Sequence, residues 1–295
     1  MIYDAHIHFI PPELSRHTSF YKGVWADKSK LFSYLEQNNI KRALVTYPST
    51  DAHLKLGEQK VCQIYNKAQQ ELSEQNPRLI IAGLINLEEK KSIASQVKNL
   101  AERGFKAVSL PSSYQAKFLL TELEPLFETA QEYRLPIFVH PQTINPIGFE
   151  RVADPLLMPV LEYSFDLSMF MGLLVTEEVL QRFRVDFIFS SLGGVMPFLK
   201  SRFDRVYKML RTRQIVKDLG DDPSKILKQV YVDTSGAEVE NIKIALDFFG
   251  SDRLLWGSDY PVNPSVAKNL EELNDLGAEV KDKITTKNFS NLFHL

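Results

Sequence analysis

An α/β fold of the (β/α)8 TIM-barrel type is what this sequence predicts, and three observations predict it. Eight short β-rich runs alternate with longer segments of helical periodicity, several of the runs are apolar throughout, and 295 residues is about the length of one complete barrel. The runs cover residues 2–8, 42–47, 79–86, 105–110, 136–140, 185–190, 230–234 and 253–258. Leu79-Ile80-Ile81-Ala82-Gly83-Leu84-Ile85 shows no polar alternation, as expected of a strand covered by helices on one side and a packed interior on the other.

The connecting segments carry helical spacing. Val61, Ile64, Tyr65, Ala68 and Leu72 recur at i, i+3, i+4, i+7 and i+11, and Ile93, Val97, Leu100 and Ala101 repeat the pattern. Leu123, Phe127 and Ala130 mark another helix, which the pattern Thr121-x-x-Glu124 opens as a capping box. Residues 142–161 break the alternation, with Pro146, Gly148, Pro155 and Pro159 predicting an irregular excursion that walls the pocket. No repeat, linker or shift in composition divides residues 1–295, so one domain is expected.

Composition narrows the partners. Lys and Arg number 35 against 37 Asp and Glu, a formal charge of −2, so no overall field favours nucleic acid or anionic lipid. The basic residues from Lys200 to Arg213 alternate with apolar positions and read as a solvated helix face. No apolar run is read as a membrane span and the N-terminus has no signal-peptide pattern. The single cysteine, Cys62, excludes an intrachain disulfide framework and suits a reducing compartment as a helix-packing residue. A cytoplasmic protein with a small-molecule substrate is expected, with homo-oligomerisation left open.

Chemistry concentrates at strand ends. In Asp4-Ala-His-Ile-His8, residues two apart on a strand share a face, so His6 and His8 can reach one ion. His-x-His alone is a weak signal; context decides. His140 ends the fifth run, and Asp259 ends the eighth, which barrel closure sets beside the first. Three imidazoles and a carboxylate make a divalent site, zinc by donor type, with Zn–N distances of about 2.0–2.1 Å and a bound water acidified towards a pKa of roughly 7. Asp259 would then accept that water's proton; its alternative is an N-cap.

Asp4-Ala-His-Ile-His8, His140-Pro141, Ser190-Ser-Leu-Gly-Gly194 and Gly257-Ser-Asp-Tyr-Pro261 together resemble the amidohydrolase superfamily, in order and spacing. The nearest subgroup is the amidohydrolase-related set that includes aminocarboxymuconate-semialdehyde decarboxylase, resorcylate decarboxylases and lactone hydrolases. Glu162-Tyr-Ser-Phe-Asp166 and Tyr231-Val-Asp-Thr234 extend the likeness over the chain. The resemblance implies a barrel of the metallo-dependent hydrolase type, one divalent metal, and ligand roles for His6, His8, His140 and Asp259. It also implies a histidine where this chain has Ser191, and a hydroxyl exchanges protons poorly near neutral pH.

His17 and His53, in loops after the first and second runs, are the histidines placed to substitute. His53, Tyr114, Gln142, Asn145 and Arg151 are candidate substrate contacts, the arginine as a clamp for a carboxylate. Ser109 and Leu110 end the fourth run where binuclear members carry a carboxylated lysine, which argues against a second metal. The expected activity is hydrolysis of a small ester, lactone or amide. Non-oxidative decarboxylation of a carboxylated aromatic or muconate-type compound is the alternative, and a metal-retaining barrel that has lost turnover is the third reading.

Overall fold

Residues on each strand alternate between two apolar layers, and that alternation builds the molecule. The computed structural model describes residues 1–118, 120–151, 154–263 and 266–295. Its strands are β1 Ile2–His8, β2 Ile40–Thr46, β3 Leu79–Gly83, β4 Ala107–Pro111, β5 Ile137–His140, β6 Phe187–Phe189, β7 Tyr231–Asp233 and β8 Leu254–Leu255. They pair in parallel in sequence order from β1 to β8. Leu44, Ile80, Ala107, Phe138, Ile188, Tyr231 and Leu255 fill the barrel interior. Their neighbours Val45, Ile81, Val108, Val139, Phe189, Val232 and Leu254 face the surrounding helices. Phe289 and Leu292 on helix Asn288–Phe293 join the interior cluster, with Phe289 against Tyr3 at 5.4 Å.

The expected helices form at Glu58–Gln75, Ile93–Glu102 and Glu124–Tyr133. Cys62 is buried on the first of them, as a packing residue. The capping box does not form. A 3-10 turn at Leu120–Leu123 precedes the third helix, which makes Leu123 its N-cap with no side-chain bond and frees Glu124 to meet Arg182 at 2.6 Å. Helix Lys200–Thr212 is solvated as expected, with Tyr207 its buried residue. The reading of apolar runs needs correction at helix Met158–Thr176, which is long and apolar enough to cross a membrane by length and composition. Glu162 and Asp166 interrupt that run, yet both are buried against the barrel and charge no exposed position.

Two strands end three residues earlier than the runs suggest. β3 stops at Gly83 because the Asn66 amide takes over the ladder's work, accepting from Leu84 N and donating to Leu84 O, both at 2.8 Å. β8 stops at Leu255 because the chain leaves β7 to close the barrel on β1. Ala5 N donates to Trp256 O and His8 N to Tyr260 O, both at 2.8 Å, and Asp259 N donates to His6 O at 2.9 Å.

β1 carries an irregularity that the sequence does not announce. Asp4 pairs with Ala43 and Ile7 with Val45, so β1 spends one extra residue there, a β-bulge that lets both Ala5 and His6 face inward. The fully buried Asp4 carboxylate collects the donors this leaves, His6 N at 3.1 Å, Ser258 N at 3.0 Å and Tyr34 Oη at 3.0 Å. Asp4→Ala strands two buried backbone N–H groups. It is expected to cost about 2–5 kcal/mol in denaturant unfolding, with a smaller loss for Asp4→Asn; equal stability of Asp4→Ala and the parent would remove the carboxylate from this role.

Candidate metal centre

Three imidazoles and one carboxylate meet at the C-terminal mouth of the barrel. Ligand atoms of His6, His8 and His140 all lie within 4.8 Å of one another, and all three residues are buried. His6 Nε2 is 3.0 Å from His8 Nε2, and Asp259 Oδ1 lies 3.1 Å from His8 Nε2 and 3.5 Å from His6 Nε2. These separations match the roughly 3.3 Å edge of a tetrahedron with bonds of about 2.0–2.1 Å.

Each ring is oriented from behind. His6 Nδ1 bonds Asp233 Oδ2 at 2.8 Å, His8 Nδ1 bonds Thr46 O at 3.0 Å and His140 Nδ1 bonds Pro141 O at 2.9 Å. With every Nδ1 turned to an acceptor, the Nε2 atoms of His6 and His8 are left facing each other. His8 also stacks on Trp25, with ring centres 5.7 Å apart.

The electrostatics call for positive charge at this point. Burial opposes a charge on His6, but Asp233 and Asp259 outweigh it and push the imidazole up to about 9. Burial, together with the His6 charge, lowers His8 and His140, while the surrounding imidazoles overcome burial and hold Asp259 below the usual carboxylate range. Positive charge drawn to His6 and an ionised carboxylate beside it, with two neutral rings at the same focus, fit a divalent cation in the proton's place.

Sequence reasoning quoted Asp233 within a motif but gave it no role. It is fully buried, orients His6 through Oδ2, and through Oδ1 accepts from Ser191 N and Ser235 N at 2.9 Å each and from Ser235 Oγ at 2.5 Å. The signal available was an acid at the end of a barrel strand neighbouring β8. Gly257 permits this packing, since a Cβ there would lie 2.9 Å from His6 Cβ and 3.1 Å from Asp233 Cβ.

Ser191 lies beside this network, exposed, with its hydroxyl 3.3 Å from Ser235 Oγ. It opens a left-handed turn in which Ser191 and Leu192 have φ of 50° and 57°. Gly194 closes the turn, where a Cβ would come 2.2 Å from Ser164 O. His17 is half-buried and Asn145 exposed, and neither belongs to the histidine cluster.

Three proposed substrate contacts gather around one small cavity. His53, Tyr114 and Gln142 line a space of about 30 Å3 at the ends of β2–β4, together with Tyr47, Ser109 and Glu58. Gln142 is braced by Ser113 O at 3.0 Å, and Tyr114 Oη donates to Glu88 at 3.1 Å. Arg151 is not among them: its guanidinium is spent on a bidentate pair with the buried Glu162, both bonds at 2.9 Å.

Asp233→Ala is expected to weaken metal affinity about 10- to 100-fold, read by competition with a chromophoric chelator; unchanged affinity would deny Asp233 its orienting role. Glu58 yields a second expectation. Burial and nearby Glu88 raise its carboxyl from 4.5 to about 7, so the folded chain holds that proton longer than the unfolded one. Stability from this group is therefore lost as pH climbs from the ordinary carboxylate range through about 7. Glu58→Gln should match the parent's melting temperature near pH 4 and exceed it near pH 8; a constant offset across that range would refute the linkage.

With this geometry in view, the comparisons are direct. The amidohydrolase family model matches residues 3–295. Among solved structures, 5-carboxyvanillate decarboxylase of Novosphingobium aromaticivorans, complexed with manganese and a nitrobenzoic acid, is 18% identical with a TM-score of 0.84, covering 100% of this chain and 96% of that one. The 2,6-dihydroxybenzoate decarboxylase of Rhizobium is 15% identical with a TM-score of 0.84, covering 100% and 99%. At such identities the likeness is one of fold. The match over nearly every residue, on a barrel with this histidine cluster at its mouth, places the chain in the amidohydrolase family.

Proposed function

We propose that the chain is a divalent-metal-dependent decarboxylase that removes CO2 without oxidation from a small carboxylated aromatic or muconate-type compound. The observation that carries this reading is similarity of fold to two decarboxylases over essentially the whole chain. Asp259 lies within hydrogen-bonding reach of His8, whereas position 191 offers only an exposed hydroxyl beside Ser235. Decarboxylation delivers one proton to carbon as the carbon–carbon bond breaks and its electron pair returns to the remaining substrate. Hydrolysis takes one proton from water and returns it to the leaving group, so one carrier serves either reaction.

His6, His8, His140 and Asp259 would hold the ion, which when bound supplies Lewis acidity towards substrate oxygens. Imidazole donors favour zinc, while manganese is the metal in the 5-carboxyvanillate decarboxylase complex. Asp259, about a quarter exposed, is the group able to exchange a proton with solvent between turnovers. The cavity near His53, Tyr114 and Gln142 would take a substituent no larger than a few atoms. The buried thiol of Cys62 suits a protein of a reducing compartment.

Hydrolysis of a lactone, ester or amide is the second reading, favoured by one observation: Asp259 is held below the usual carboxylate range, which suits a base. The two separate by product. Protein loaded with zinc or manganese and given hydroxylated benzoates and lactones should release CO2 from the former, and Asp259→Asn should lower that rate by about 100- to 10,000-fold. Lactone opening without CO2 release, increased by Ser191→His, would establish hydrolysis instead; no turnover on any compound with either metal would leave a barrel that binds metal without catalysis.

A further inference from the structure

The small cavity at the ends of β2, β3 and β4 adjoins the metal centre. Tyr47, in its wall, follows Thr46, whose carbonyl orients His8, and Pro111, also in its wall, pairs with His140 across β4 and β5. The space therefore lies at the side of whatever the histidines hold. At roughly 10–15 Å3 for each enclosed water, its volume of about 30 Å3 admits about two water-sized groups.

What this wall offers is acceptors. Glu58, which opens helix Glu58–Gln75, has no hydrogen-bond or ion-pair partner among the described residues. Ser49 is only 9% exposed, yet the bond it receives from Thr143 ends on its carbonyl, and its hydroxyl has no partner. It holds a φ of 55°, a left-handed backbone that serine rarely adopts. His53 Nδ1 donates to Thr50 O at 2.8 Å, so the neutral ring keeps Nε2 as an acceptor. Tyr114 and Gln142, by contrast, spend their donors on Glu88 and Ser113 O. Among the described residues, no lysine or arginine lines the space.

We propose that this cavity is a binding site for a primary ammonium group, carried by the substrate on a short carbon arm. An ammonium has three N–H donors and no acceptor, which matches Glu58, His53 and Ser49 in number and sign. A hydroxyl brings one donor and no charge, and a carboxylate would meet Glu58 with like charge. A quaternary ammonium has the charge but neither the donors nor the size. Burial and nearby Glu88 raise the Glu58 carboxyl to about 7, and a cation in the cavity offsets both. Assigning the ammonium to the substrate rests on the decarboxylase reading; the affinity of the cavity for the group does not.

Near pH 8, where Glu58 is ionised, methylammonium chloride should raise the melting temperature of the full chain saturably, and tetramethylammonium chloride at equal ionic strength should not. Glu58→Gln should abolish the rise. Ser49→Gly, which suits the left-handed backbone while removing the hydroxyl, should require about tenfold more methylammonium. If one variant fails to fold, the other decides. No rise, an equal response to both salts, or a rise that the folded variants leave unchanged overturns the site. On metal-loaded protein, aminomethyl derivatives of hydroxylated benzoates should release CO2 with a kcat/KM about tenfold above that of their hydroxymethyl counterparts, a preference that Glu58→Gln removes. Release of CO2 without that preference overturns the assignment to the substrate. Stabilisation by methylammonium with no CO2 from either series overturns decarboxylation and leaves the ammonium site standing.

Discussion

Closure of the barrel between β8 and β1 is the constraint on which the site depends. Two of the four candidate ligand side chains stand on β1 and a third on the connection that follows β8, so the seam sets their separation. It is not a regular ladder. Backbone bonds from Ala5, His8 and Asp259 stitch it, and the Asp4 carboxylate bridges it by accepting from both His6 N and Ser258 N. One buried acid therefore repairs the bulge that turns His6 inward and holds the segment that carries Asp259. Burial pushes this acid up to about 6.

From that seam the electrostatics follow. Asp233 and Asp259 face the His6 ring from two sides, Asp233 at Nδ1 and Asp259 near Nε2, while Thr46 and Pro141 fix the other two rings with neutral carbonyls. The site thus concentrates two carboxylates on one histidine, and positive charge is favoured on His6 over either His8 or His140. Orientation from behind and charge in front are separate devices, the first supplied by Asp233 and the second by Asp259.

The sequence made the strands and ligands legible because they depend on local pattern. Alternation fixes which residues face inward, and strand order fixes which ends are neighbours, so His6, His8, His140 and Asp259 can be assembled without coordinates. What stayed hidden depends on distant partners. The bulge at Asp4 is a property of two paired strands, and the Asn66 amide that shortens β3 sits on a helix. Arg151 looked free as a clamp because nothing in its neighbourhood of sequence reveals Glu162, eleven residues on, folding back to take both guanidinium bonds. The capping box failed for a local reason, a 3-10 turn that moved the helix start by two residues.

Ser191 shows why fold and reaction can separate in such a barrel. The turn it opens is held by backbone: its N–H donates to Asp233 Oδ1, and Gly194 permits a contact that no side chain would allow. Neither device uses the side chain at 191, which points to solvent and touches Ser235. The backbone bond from residue 191 to Asp233 does not depend on which side chain stands there. Beside that serine, the acid that touches His8 while keeping about a quarter of its side chain in contact with water is Asp259.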